Sequence, residues 1–332
     1  MCTAITMQTQ QHHILFGRTM DFSYPLEPEF FYVPRGYGWS TAVDSQRHEN
    51  RYSFLGIGQG ISPVIFADGV NERGFAAAAL YFPGYAQYDS ASGRNSEKLP
   101  VAATELVHFL LGTCASVNEA AAVLPTVRIM GVKDPVTNSV APLHWILADR
   151  SGSCMVAEKT ADGLHLMDNA VGVLANSPDF SWQVTNLRNY MNVSPGQQQE
   201  RNWGPVNLSP FGQGAGTFGL PGDYTPPSRF VRAAFQKSHA NLPRELDGAV
   251  VACFHIMESV SIPKGVVMTA RGTSDYTQYT AFMDLETQRY YFKTYDNSQI
   301  TTVQLPSSHA GGREMVSLGK LVRPIAFAHL MG

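Results

Sequence analysis

Residues 1–21 read MCTAITMQTQQHHILFGRTMD. Thr3, Ile5 and Met7 alternate with their neighbours, Gln10 to His13 make a polar break, and Ile14 to Met20 resume the apolar pattern. That spacing predicts two strands turning near Gln10 and Gln11. Antiparallel pairing returns the Arg18–Asp21 end to the side of Cys2, so a thiol, a guanidinium and a carboxylate are expected together near the chain terminus. From position alone, Cys2 also fits an ordinary cysteine near a frayed end.

Outward from this hairpin, Phe54 to Ile57, Val64 to Ala67 and Phe75 to Tyr81 read as strands of one sheet. Asp68-Gly69-Val70-Asn71 reads as one of the turns between them. Pro100 opens a helical pattern over Val101 to Leu111, and Ser116 with Glu119 forms a capping-box signal before an Ala-rich helix. Pro142 to Ala148, Cys154 to Glu158, Gly163 to Met167 and Gly172 to Ala175 return to strands. Met191 to Thr225 is rich in Gly, Pro, Asn and Gln without periodicity, as in functional or interaction loops. Helices over Pro227 to Ser238 and Leu246 to Ser259 precede strands at Val266 to Thr269, Thr277 to Met283, Arg289 to Tyr295 and Ile300 to Gln304. Strand runs separated by helix runs predict a layered α+β fold, and without linker or repeat a single domain over 2–332.

The chain has 332 residues, 24 Lys+Arg against 27 Asp+Glu, 44% hydrophobic and 11% aromatic content. Such a composition excludes a disordered chain, and the charge balance offers no long-range attraction to nucleic acid or an acidic membrane. No apolar run approaches the roughly 20 residues needed to cross a bilayer, and the N-terminus lacks the pattern of a secretory signal. A cytoplasmic protein is expected. Cys2, Cys114, Cys154 and Cys253 are too scattered for a disulfide framework or a Cys-x-x-Cys metal site, and suit a reducing compartment.

Cys2 is the most informative residue. Methionine is commonly trimmed before a small residue, which would leave Cys2 with both a thiol and the free α-amine. An α-amine titrates near pH 8 and can serve as base for the thiol on the same residue.

Several further motifs stand in order along the chain: Gly17-Arg18-Thr19-Met20-Asp21, Asp68-Gly69-Val70-Asn71-Glu72, Leu80-Tyr81-Phe82-Pro83-Gly84 and Pro142-Leu143-His144-Trp145-Ile146. Ala175-Asn176-Ser177-Pro178, Thr185-Asn186-Leu187-Arg188 and Gly219-Leu220-Pro221-Gly222-Asp223-Tyr224 leading to Ser228-Arg229-Phe230 continue the series. With Met1-Cys2-Thr3 they resemble the choloylglycine hydrolase family of N-terminal-nucleophile amidases, which includes conjugated bile salt hydrolases and penicillin V acylases.

The resemblance implies a four-layer α/β/β/α fold, removal of Met1, and cleavage of a non-peptide amide in a small molecule without a cofactor or metal. It implies Cys2 as nucleophile, Arg18 and Asp21 as a charged pair positioning its sulfur and amine, Asn176 as oxyanion donor and Arg229 as a further cation. Read without it, Arg18 and Asp21 fit a solvated i, i+3 pair and Asn176 a turn former. Tyr81 stands where bile salt hydrolases usually carry Asn and penicillin V acylases Tyr, so penicillin V is the first expected substrate. Its phenol would donate to the oxyanion and wall an aryl pocket; the alternative reading is strand-end packing. Conjugated bile salts, acyl-homoserine lactones or a catalytically silent binding homologue are the alternatives. The 191–225 segment corresponds to a family segment that reaches between subunits, giving an expected homotetramer. Ala175 departs from the Thr of many relatives, which puts the support of Asn176 in doubt.

Other signals are weaker. Gly212-Gln213-Gly214-Ala215-Gly216 lacks the strand, helix and Lys of a phosphate loop. Gly152-Ser153-Cys154 matches only part of a papain-type motif, with His255 as the candidate base. His12 and His13 read as turn residues, and His144 and His255 as core or supporting groups.

Overall fold

The computed structural model describes all residues except 44–46, 62, 90–96, 135–137, 307–311, 328 and 330–332. Its main strands are β1 (Cys2–Gln8), β2 (Ile14–Phe22), β3 (Pro28–Val33), β4 (Phe54–Gln59), β5 (Ile65–Asn71), β6 (Phe75–Tyr81) and β7 (Leu143–Asp149). They continue as β8 (Cys154–Thr160), β9 (Gly163–Asp168), β10 (Val173–Leu174), β11 (Tyr276–Asp284), β12 (Arg289–Thr294), β13 (Thr301–Gln304) and β14 (Val316–Lys320). The helices are α1 (Leu106–Thr113), α2 (Val117–Val123), α3 (Phe180–Asn186), α4 (Pro226–His239) and α5 (Leu246–Glu258).

Two sheets face one another. The six-stranded sheet runs β10-β1-β2-β11-β12-β13 and the eight-stranded sheet β9-β8-β7-β6-β5-β4-β3-β14. Helices α4 and α5 cover the first, whereas α1 and α2 cover the second. The result is the α/β/β/α layering expected. Two apolar cores follow. One includes Ile5, Phe16, Ile57, Phe230 and Phe282 around the six-stranded sheet; the other places Phe54, Leu110 and Trp145 beneath α1 and α2.

The opening hairpin forms in the expected sense, with Cys2 opposite Met20 and Gln8 opposite Ile14. His12, at φ 65°, helps turn the chain. Gly17 is required by packing, because the Phe282 ring of β11 occupies the place of a Cβ.

Some expectations give way to tertiary pairing. Asp68-Gly69-Val70-Asn71 is no turn but the end of β5, paired with β4 and β6. The turn comes next, where Asn71 Oδ1 accepts from the amides of Arg73 and Phe75, and Gly74 takes φ 73°. The expected helix from Val101 begins only at Leu106, because Leu99–Ala102 pairs in parallel with Val127–Met130. Val266 to Thr269 provides a single bridge, Met268 to Ser274, in place of a strand. Strand β14, not anticipated, extends the larger sheet beside β3. No described helix is long and apolar enough to cross a membrane.

Candidate active site

Strand alternation places the site. Cys2 and Arg18 lie on the face of the hairpin turned toward the eight-stranded sheet, since Cys2 pairs with Met20 and Ala4 with Arg18. Arg18 Nη2 donates to Cys2 Sγ at 2.7 Å. Its Nη1 crosses the sandwich to the carbonyls of Ala67 at 3.2 Å and Ala79 at 2.9 Å, and its Nε donates to Thr19 O at 3.2 Å. Asp68 Oδ2 lies 3.6 Å from the guanidinium. Burial works against the Arg18 charge, but Cys2, Tyr279, Asp68 and Asp21 outweigh it and raise its pKa above the usual value.

Asp21 is three residues from Arg18 and therefore points to the opposite face of β2. The two do not act as one charged pair. Their ion-pair partners are different: Asp68 for Arg18 and, at 3.7 Å, Arg229 for Asp21. Neither is solvated, because both are fully buried. Thr277 Oγ1 donates to Asp21 Oδ1 at 2.6 Å and Thr19 Oγ1 to Oδ2 at 3.2 Å.

Arg229 enters from the first turns of α4, the layer that covers β1. Its Nη1 donates to Cys2 O at 2.6 Å and Thr3 Oγ1 at 2.5 Å, and its Nη2 to Asn176 Oδ1 at 2.7 Å. Burial lowers its pKa, opposed by Asp21 and Cys2. Asn176 Oδ1 also accepts from Cys2 N at 2.8 Å, and Asn176 Nδ2 donates to Tyr81 O at 2.6 Å. Cys2, Arg18, Asp21, Asn176 and Arg229 thus form one buried network, which Tyr81 joins through its carbonyl. The Tyr81 ring packs edge-on to Phe22 at 6.5 Å.

The Ala175 departure costs the site nothing visible, because the preceding residue is held by its backbone. His144 Nε2 lies 3.0 Å from Ala175 O, and His144 Nδ1 3.0 Å from Glu158 Oε1. Gln183 Nε2 donates to Asn176 O at 3.3 Å.

Met1 prolongs the hairpin by one pair: its amine donates to Asp21 O at 2.5 Å and its carbonyl accepts from Asp21 N at 3.0 Å. Asp275 Oδ2 is 3.6 Å from that amine. With Met1 attached, Cys2 N is an amide; without it, an amine would stand beside Asn176 and Asp21. The other cysteines offer no rival nucleophile, since burial pushes the thiols of Cys114, Cys154 and Cys253 up to about 12. His255 turns to Glu258 on the exposed side of α5, so it is neither a core group nor a base for Cys154.

Sequence reading missed Asp68, Tyr279, Tyr290 and Thr277 as members of the network. Asp-Gly is a strong turn signal, which hid Asp68. Alternation offered little help, because a bulge opposite Ile57 and Gly58 turns Phe66 to the helix side while Asp68 and Val70 face the other sheet.

A family profile described as linear amide C–N hydrolases, choloylglycine hydrolase family, matches residues 2–318. A bile salt hydrolase/transferase of Clostridium perfringens is 34% identical over 319 residues, 95% of each chain. One from Lactiplantibacillus plantarum is 35% identical over 319 residues, 96% of each. The crystal structure of a variant of conjugated bile acid hydrolase from C. perfringens superposes with a TM-score of 0.91 at 32% identity, covering 99% of this chain and 100% of that one. A penicillin V acylase of Pectobacterium atrosepticum is more distant, 25% identical over 255 residues, 72% of this chain and 61% of its own. The chain therefore belongs to the choloylglycine hydrolase family, and is a hydrolase of carbon–nitrogen bonds other than peptide bonds.

Proposed function

We propose that this enzyme hydrolyses the amide of glycine- or taurine-conjugated bile salts. The observation that carries the reading is sequence identity: bile salt hydrolases are 34% and 35% identical over almost the whole chain, the penicillin V acylase 25% over a shorter stretch. This reverses the order of substrates expected from Tyr81 alone. Penicillin V is the second reading, favoured by the phenol at that position.

In the proposed mechanism, loss of Met1 frees the Cys2 amine. The Cys2 thiolate, beside Arg18, attacks the amide carbonyl. Asn176 gives one Nδ2 hydrogen to Tyr81 O and has a second for the oxyanion; Tyr81 supplies its phenol. The α-ammonium protonates the leaving glycine or taurine nitrogen, and the amine then activates water to release the acid from the thioester. Asp21 and Arg229 hold the terminus in place.

The test compares kcat/KM of the Met1-free protein for glycocholate, taurocholate, penicillin V and a long-chain acyl-homoserine lactone. The bile salts should lead. A tenfold lead for penicillin V would restore the second reading, and binding without turnover of any of them would indicate a silent homologue. Assembly as a homotetramer belongs to the same proposal. Met191, Trp203, Phe211 and Phe218 are all exposed in the 191–225 segment, which suits a surface covered by another copy. A monomeric mass by light scattering at micromolar concentration would refute it.

A further inference from the structure

The carboxylate of Asp68 is fully buried between the sheets. It comes from β5 of the eight-stranded sheet, while the donors that meet it come from the six-stranded sheet. Tyr279 of β11 donates to Oδ2 at 2.8 Å, Tyr290 of β12 donates to Oδ1 at 2.9 Å, and Arg18 of β2 stands at 3.6 Å. A buried ion pair is weak evidence for stability, because desolvation offsets the attraction and apolar residues of like volume often serve as well. Its place at the guanidinium that touches the Cys2 sulfur points to another use.

That use is not to aim Arg18. The guanidinium has five N–H donors. They are met by Thr19 O, Ala67 O, Ala79 O, Cys2 Sγ and, at 3.6 Å, Met20 Sδ. Orientation is thus fixed by acceptors other than Asp68, and Asp68 contributes charge.

We propose that Asp68 is a positioning residue that acts through Arg18: it balances the guanidinium so that the Cys2 thiolate forms yet keeps its nucleophilicity. An unbalanced cation would stabilise the thiolate further and make it a poorer nucleophile, since reactivity falls as basicity falls. Burial raises the Asp68 pKa, and the Arg18 guanidinium first, then the Tyr279 and Tyr290 phenols that donate to its two oxygens, oppose that rise. In the Met1-free protein the other charged groups near Cys2 are its own α-amine, Arg229 of α4 at Cys2 O, and Asp21 of β2, which pairs with Arg229 on the opposite face of the hairpin. This inference rests on Cys2 as nucleophile but not on the choice of substrate.

The experiment measures the rate of Cys2 carbamidomethylation by iodoacetamide against pH, read on the Cys2 peptide by mass spectrometry, in Met1-free wild type and Asp68→Asn. Asp68→Asn should move the midpoint of the profile downward and slow the plateau by about threefold for each pH unit the midpoint falls. With glycocholate, kcat should fall by a similar factor while KM stays within about twofold. The Tyr279→Phe, Tyr290→Phe double variant keeps the carboxylate but removes its phenol donors, and should move the midpoint in the same direction; it serves if Asp68→Asn does not fold. An unchanged midpoint would make Asp68 merely structural, and an upward movement would show that it anchors Arg18; either overturns the proposal. Labelling of Cys154 in place of Cys2 would remove the nucleophile assignment and the proposal with it. Failure to cleave glycocholate, with the labelling changes present, would count only against the substrate.

Discussion

The space around Cys2 and the space beneath α1 and α2 are equally dry, yet they treat ionisable groups in opposite ways. Beneath the helices, His108 is packed among Trp39, Phe54 and Phe66 with Asn50 Oδ1 at 3.3 Å as its polar neighbour, and burial pulls its pKa down to about 3. Cys114, in the same core, has a thiol pushed up to about 12. Both stay neutral, as uncompensated burial dictates. Around Cys2, two guanidiniums and two carboxylates are just as buried, but each cation has a carboxylate within 4 Å: Asp68 at 3.6 Å and Asp21 at 3.7 Å. Burial alone silences a group; burial beside a matched charge keeps a charge available for chemistry.

The contrast can be broken most sharply at its two thiols. Cys2→Ala should abolish turnover and leave the fold intact, whereas Cys114→Ala should leave kcat within about twofold. Hydrolysis by Cys2→Ala within tenfold of wild type would end the nucleophile assignment.

Next in size is the acid response of the silent core. Because His108 is held neutral, its folded pKa of about 3 lies below the ordinary 6.5. The associated stability is therefore complete above pH 6.5 and lost as pH falls toward 3. The linkage sets an upper limit of about 5 kcal/mol. Urea unfolding at pH 7, 5 and 4 should show a shallower decline for His108→Phe than for wild type. Parallel declines would mean that His108 is not the source.

On the charged side, Asp21→Ala removes the carboxylate paired at 3.7 Å with the buried Arg229, and should destabilise the fold by about 3–5 kcal/mol. Urea midpoints of the two proteins at pH 7 measure this; a loss under about 1 kcal/mol would show that the pair does not hold the terminus in place.

The smallest expected effect is at Tyr81, on the rim of the charged region. Tyr81→Phe should lower kcat with little change in KM if the phenol donates in the transition state. Tyr81→Asn restores a donor and opens space, moving the kcat/KM ratio further toward bile salts by about 1–3 kcal/mol. If both leave rates and ratio unchanged, Tyr81 only packs on Phe22.

Much of this was legible in the sequence because it is local. Alternation through Thr3, Ile5 and Met7 fixes the hairpin, and the hairpin alone brings Arg18 to Cys2. Motif order then supplied Asn176 and Arg229, which no local pattern connects to Cys2 across separations of 174 and 227 positions. What could not be read is pairing between layers. Asp68 meets Tyr279 and Tyr290 only because two sheets stack, and its Asp-Gly sequence signals a turn that sheet pairing overrides. The same parity of β2 that puts Arg18 on Cys2 sends Asp21 to Arg229, so adjacency in a motif did not mean partnership in space.

Everything proposed for this enzyme turns on Cys2, freed of Met1, being the acylated residue. Intact and peptide mass spectrometry of the purified enzyme, quenched in acid during glycocholate turnover, tests it directly. The expected species is a chain lacking Met1 with a cholyl thioester on Cys2. Full activity from chains that retain Met1, or an acyl group on another residue, would contradict it.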